Sequence, residues 1–301
     1  MVSNRTWLAS QSYDKIIFLG APLAILLVLI VYPTYHLWRL AFSNFDITYM
    51  AKPVFVGVDN FTQVVVDPYF WAAFKNTLII SGAAVTIEFF VGLGMALFLN
   101  GKIFWGMLGR LLKAILVVPI MIPPVVIGLN FKLIFDNFGP INGFLRMLGL
   151  QSAQWLGTSL TARISIVIAD VWQWSPFLFI IFLAGLQTIP QDFYDAAKVD
   201  GAGSWKIFRH ITWPMLIPSA VTALLLRVID ALKIFDVVYM VTAGGPSFAT
   251  EVLSLNIYRT AFRFGSLGYA SSLAVVLFLV LMLFVAIIIR ITRLSERMEW
   301  K

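Results

Sequence analysis

The chain has 301 residues, of which 60% are hydrophobic and 12% charged, with a formal net charge of +7 and no cysteine. So small a charged share is far from that of a soluble domain, and the missing cysteines exclude disulfides and thiolate metal sites. Such a chain belongs in lipid, where a helix needs about 20 residues to cross about 30 Å of hydrocarbon.

Six windows of that size follow one another, at 16–38, 77–99, 114–135, 162–186, 216–242 and 269–289. Their lengths predict an all-α, polytopic membrane protein, because barrel strands alternate and run only about 10 residues. The first window is longer than the apolar run of a secretory signal and no small-residue cleavage site follows it, so it is expected to remain as a span. The second carries little polarity beyond Glu88, which is alone on its helix and read as packing because intramembrane carboxylates often pair internally. The third holds Pro119, Pro123 and Pro124, with Asn130 and Lys132 near its end. Its prolines remove backbone donors, and ordinary kinking and a hinge are equally open readings.

The fourth window places Asp170, Gln173 and Trp174 ahead of Pro176. An aromatic face beside a carboxylate and an amide suits a sugar, which presents C–H faces and hydroxyl edges. Between the fourth and fifth windows lies a polar segment, 187–215. Pro190 suits the first turn of a short helix there and Gly201 its left-handed stop. Phe193, Ala197 and Gly201 share one face of that helix, and Trp205, Phe208 and Ile211 form a second amphipathic stretch before Pro214.

The fifth window contains Arg227, Asp230, Lys233 and Asp236 at intervals of three. Each step turns a continuous helix by about 300°, so the four are expected to spiral and not to face one cavity. A ladder of i, i+3 ion pairs and a polar pathway both remain open. The sixth window is the cleanest, with the unbroken run Leu273–Ile289. No flexible linker separates the windows, so residues 1–301 are read as a single transmembrane domain.

Basic residues sort by side. Arg5, Lys15, Lys102, Arg110, Lys113, Lys198, Lys206, Arg209, Arg290, Arg293, Arg297 and Lys301 fall on one, whereas Lys52, Arg146, Arg259 and Arg263 fall on the other. The positive-inside rule then puts both termini and 187–215 in the cytoplasm, and this arrangement argues against nucleic acid as the reason for the charge. His36 and His210 stand far apart with no acidic cluster beside either, so no metal site is expected, and no nucleophile–base pair suggests a catalytic residue.

The run Tyr194-Asp195-Ala196-Ala197, with Asp200-Gly201-Ala202 and then Phe208, Ile211, Pro214 and Pro218, resembles the coupling-loop signature of ABC importer permeases. Gly139-Pro140-Ile141-Asn142, Ala184-Gly185-Leu186 with Ile189-Pro190, Phe235-Asp236 and Thr242-Ala243-Gly244-Gly245-Pro246 resemble the carbohydrate-uptake branch, the maltose-type and glycerol-phosphate-type permeases. The resemblance runs through nearly the whole chain in order. It implies the type I importer permease architecture in a bacterial inner membrane, with Tyr194, Asp195, Ala196, Ala197, Asp200, Gly201 and Ala202 seating in an ATPase groove. Asp195 stands where the family usually has Glu.

The resemblance further implies that Asp170, Trp174, Phe177, Arg227, Asp230 and Ala231 line a sugar pathway, to which Gln173 and Asn130 are added from the residues themselves. It also implies the partners: a second homologous permease chain, two ATP-binding cassette subunits carrying ATP and Mg, and an extracytoplasmic solute-binding protein docking on 41–76 and 243–268. The chain itself has no G-x-x-x-x-G-K-[ST] phosphate loop, so no cofactor of its own is expected. The rival expectation is an ion-gradient-driven secondary transporter using Glu88, Asp170 or Asp230 as its relay, against which the lack of a visible internal repeat weighs.

Overall fold

A computed structural model describes residues 5–49, 52–101 and 106–299. Lys102 and Lys301, two of the basic residues used to assign sidedness, lie outside the described residues. The chain divides into two compact units, Met1–Val66 with Ile257–Val276, and Asp67–Asn256 with Leu277–Lys301.

The first unit contains the long helix α1 (Arg5–Ala41), a two-residue antiparallel ribbon of β1 (Ser43–Asn44) and β2 (Val54–Phe55), and α2 (Asp59–Val66). The buried Asn60 amide locks this region by donating to the carbonyls of Ala41 at 2.8 Å and Ser43 at 3.0 Å. Those carbonyls lie at and just beyond the end of α1, where no intrahelical donor reaches them. The ribbon is a local exception to the all-helical expectation.

The second unit is built on α3 (Pro68–Leu99) and α7 (Ser159–Gln187). Asp67 caps α3 by accepting from the Tyr69 N–H at 2.8 Å, with Pro68 at the first helical position. Thr158 caps α7 through the Thr161 N–H at 3.3 Å. Small residues let the two helices touch: a Cβ at Gly92 would stand 2.8 Å from the Leu178 Cβ and 3.0 Å from the Phe179 amide nitrogen. Around that crossing Leu93, Ala96, Leu178, Phe179, Phe182, Leu216 and Ala220 form one buried cluster.

Two expected spans are interrupted. The third is split into α4 (Met107–Met121) and α5 (Pro124–Ile134), which meet at 96°. Ile122 is extended, with ψ 130°, as a residue ahead of proline prefers. Its carbonyl accepts a hydrogen bond from the Gln173 amide at 3.0 Å, so α7 holds the break.

The fifth span, expected to run unbroken from 216 to 242, stops as α10 (Trp213–Ala231) and resumes as α11 (Asp236–Val241). No proline or glycine lies between Leu232 and Asp236. The Ser81 hydroxyl of α3 donates to the Ala231 carbonyl at 2.6 Å and satisfies one of the acceptors released there.

The remaining helices are α6 (Pro140–Met147), α8 (Gln191–Val199), α9 (Ser204–Ile207) running through a π-helical turn at Phe208–Thr212 into α10, α12 (Leu253–Tyr258), and α13 (Leu267–Glu299). Among the described residues, five helices are long and apolar enough to cross a membrane, and six if α4 and α5 count as one span.

Candidate functional site

Three helices bring one cation and three carboxylates together inside the second unit. Arg227, in the last turns of α10, is 1% exposed, and Glu88 on α3 and Asp170 on α7 are equally buried. The guanidinium grips Glu88 with both prongs, Nε donating to Oε2 at 2.6 Å and Nη2 to Oε1 at 2.9 Å. Nη2 also donates to Asp170, and Nη1 reaches Asp230 at 3.4 Å. A bidentate Arg–carboxylate pair is the geometry that best offsets the desolvation of both ions. Isolated, each charge would cost at least about 2.5–3.5 kcal/mol in a span, so the cluster exists because its members arrive together.

A cavity of about 90 Å³ opens beside this cluster. Asp170, Trp174, Arg227, Asp230, Lys233 and Asp236 are among its lining residues. The expected spiral of charges is therefore incorrect. Because α10 ends at Ala231, the chain from Leu232 to Phe235 departs from helical rotation and returns Lys233 and Asp236 to the same cavity as Arg227 and Asp230. Of the i, i+3 ladder only the Arg227–Asp230 rung forms; Lys233 and Asp236 make no ion pair among the described residues. The Trp174 ring lies 5.1 Å from the Arg227 guanidinium carbon and meets Phe177 edge-on at 6.1 Å.

The other expected pathway residues are placed differently. Gln173 is buried against the α4–α5 break, its amide committed to Ile122 and its Oε1 without a partner among the described residues. Phe177 packs against the buried core cluster, and Ala231 lines a separate apolar cavity of about 210 Å³ with Ser81 and Val228. Asn130 is exposed, because α5 turns Ile127, Gly128 and Phe131 inward and leaves residue 130 on the opposite side. A larger groove of about 540 Å³ between α3, α4 and α7 is apolar, and the Ser175 hydroxyl at its wall is spent on the Val171 carbonyl at 2.6 Å. Glu88, read as a packing residue on the ground that intramembrane carboxylates pair internally, does pair internally, as the principal partner of Arg227. Its signal was charge without an exit, but its partner lies 139 residues away.

A second polar node was not anticipated. The Asn76 side-chain amide donates to the backbone carbonyls of Phe248 at 3.1 Å and Glu251 at 3.0 Å, while Arg163 donates to the Ala249 carbonyl at 2.9 Å and to Asn76 Oδ1 at 2.9 Å. Together they hold the turn after α11, where Ala243, Ser247 and Phe248 all adopt positive φ.

The segment between α7 and α10 is as specific in its geometry. Helix α8 closes with a Schellman arrangement: the Ala202 N–H donates to the Ala197 carbonyl at 2.9 Å and the Gly201 N–H to Lys198 at 3.0 Å, with Gly201 at φ +73°. Tyr194 and buried Ala197 face the core, and the Thr212 hydroxyl donates to Tyr194 at 3.3 Å. Phe193 is exposed and does not share the buried face of Ala197. Asp195, Ala196 and Asp200 face outward near exposed Val199 and Trp205. Asp195 accepts from Lys198 at 3.1 Å and Gln191 at 3.2 Å. Such surface pairing is worth at most about 1 kcal/mol and yields readily to a competing cation.

The family model described as "Binding-protein-dependent transport system inner membrane component" matches residues 88–298. The chain is 36% identical over 273 residues to the trehalose/maltose transport system permease protein MalF of Thermococcus litoralis, covering 90% of each chain. It is 38% identical over 294 residues to the sulfoquinovosyl glycerol transport system permease protein SmoG of Agrobacterium fabrum, covering 96% of this chain and 94% of the other. Among solved structures, a chain of a bacterial ABC transporter involved in the import of the acidic polysaccharide alginate superposes with a TM-score of 0.82 at 23% identity, over 96% of this chain and 99% of that one. The last likeness is one of fold.

Proposed function

Because the chain belongs to the family of binding-protein-dependent transport system inner membrane components, we propose that it is the sugar-conducting permease subunit of an ATP-driven importer. It is a multi-pass inner-membrane protein, and alternating access in it would be driven by ATP hydrolysis in partner subunits. Carbohydrate cargo is supported by the names of its relatives and by Trp174 standing beside carboxylates in a cavity.

The observation that carries the ATP-driven reading is α8. Its Tyr194–Ala197 side is fixed to the core while Asp195, Val199 and neighbouring Trp205 face outward, a form that receives force from a docked partner and passes it to α7 and α10. In this reading 187–215 and both termini are cytoplasmic, two ATP-binding cassette subunits bearing ATP and Mg dock on α8, and a solute-binding protein delivers the sugar on the other side. A cavity of about 90 Å³ is well below the roughly 300–1,000 Å³ of ordinary ligand sites, which supports a second permease chain completing the pocket. An ion-coupled relay is disfavoured, since all three carboxylates it could use, Glu88, Asp170 and Asp230, are paired with Arg227.

Reconstitution of the chain with its co-purified partners tests this. Uptake of a sugar into proteoliposomes should require hydrolysable ATP and the binding protein; uptake by the isolated chain under an ion gradient, without ATP, would reject the importer reading.

A further inference from the structure

We propose that the cavity beside Trp174 selects uncharged polyhydroxyl substrates against anionic sugar derivatives, and that Asp230 and Asp236 impose the choice. This rests on the sugar-conducting reading above and sharpens it, because the relatives' names include trehalose, maltose and a sulfoquinovosyl glycoside, and overall similarity does not separate these cargoes.

The argument turns on what Arg227 has left to give. A buried arginine near a candidate sugar site invites assignment to a phosphate, sulfonate or uronate. Here, of its five N–H donors, Nε and both Nη2 hydrogens are spent on Glu88 and Asp170, and one of Nη1 is directed at Asp230. The guanidinium is 1% exposed, and the Trp174 ring lies 5.1 Å from its central carbon. Only the second Nη1 hydrogen is left over, so an anion seeking the usual two-pronged contact would have to displace a carboxylate that is tethered to the protein and would then repel it. Arg227 is a positioning residue that ties three helices around the cavity.

With Arg227 offset by its buried partners, the charges the cavity offers a substrate are Asp230, Lys233 and Asp236, two acids to one base. Asp230 is 47% exposed, and its contact with Nη1 is long at 3.4 Å, so its carboxylate oxygens are available to accept from hydroxyls. The Trp174 face supplies the apolar contact that a sugar ring favours. Acceptors plus an aromatic face suit a neutral polyol; an anion meets a surplus of negative charge and is repelled by it.

The assembled transporter, with its ATPase and binding protein in proteoliposomes, should be assayed for ATP-dependent uptake of trehalose, maltose, a uronic-acid disaccharide and sulfoquinovosyl glycerol. Trp fluorescence titration of the same complex without the binding protein reports whether selection resides in the membrane part. We expect anionic probes to enter at less than about one-tenth of the rate of the preferred neutral one. The Asp230→Asn/Asp236→Asn variant should raise the anionic-to-neutral ratio several-fold, and Lys233→Gln should lower it. ATP-dependent uptake of an anionic probe at a rate matching or exceeding the neutral ones, or a ratio unmoved by the double variant, overturns charge selection while leaving the importer reading intact. Uptake independent of ATP would instead overturn the importer reading.

Discussion

Removing the Arg227 guanidinium would leave Glu88 and Asp170 buried with no cation between them. Breaking a buried pair by deleting one partner costs about 3–5 kcal/mol, so Arg227→Met should markedly lower the thermal stability of the detergent-purified complex. Adding Glu88→Gln should recover part of that loss, because the uncompensated charge is then removed, and a coupling above about 0.5 kcal/mol is expected for groups in direct contact. Arg227→Lys should not restore the original stability, since an ammonium cannot make the two-pronged contact with Glu88. Full stability with lost transport in Arg227→Met would instead make this arginine a substrate ligand.

Helix α8 depends on a single backbone conformation at its end. Gly201 sits at φ +73° with open space where a Cβ would go, so a substitution there strains the backbone without any steric clash. Gly201→Val should cost about 1–2 kcal/mol locally and loosen the Schellman closure, lowering ATP-driven transport while membrane insertion is unchanged. Normal transport by this variant would remove α8 from the coupling path. Pro190 and Gly201 announced this helix in the sequence because both ends are fixed by local rules. The breaks in the third and fifth spans were less legible. Pro123-Pro124 signals an interruption, but a 96° turn needs the Gln173 amide arriving from α7. No proline or glycine signals the stop at Ala231, and its carbonyl, which accepts locally from the Ile234 N–H at 3.1 Å, is also bonded by Ser81, 150 residues earlier. That stop decides the site: with an unbroken helix Lys233 and Asp236 would have pointed elsewhere. Close approach was equally hidden at Gly92, where a Cβ would meet the Leu178 Cβ and the backbone of Phe179. Gly92→Leu should therefore force α3 and α7 apart, with a stability loss of about 1–3 kcal/mol readable as reduced recovery of folded protein from membranes.

At the scale of the whole chain, two surfaces are left incomplete. Along α1 none of the residues from Pro22 to Leu40 is buried within the chain, so lipid or another subunit must cover this apolar stretch. The polar cavity beside Arg227 is small for a ligand site, and the family to which the chain belongs works as part of a larger transport system. The proposal that a second chain completes the site makes a distinctive prediction, because a side chain lining only one wall should then matter for cargo more than for assembly. Trp174→Ala removes an aromatic face of the kind worth about 0.5–1.5 kcal/mol beyond its burial, which corresponds to as much as about a tenfold loss in apparent affinity. The expected outcome is a raised half-saturating sugar concentration for ATPase stimulation, with unchanged co-purification of the partner subunits. Asp230→Ala should act in the same direction, since its carboxylate is half exposed and only weakly tied to Arg227. If both variants instead lose their partners during purification, the cluster's role is to hold α3, α7 and α10 together and the sugar must travel along another wall.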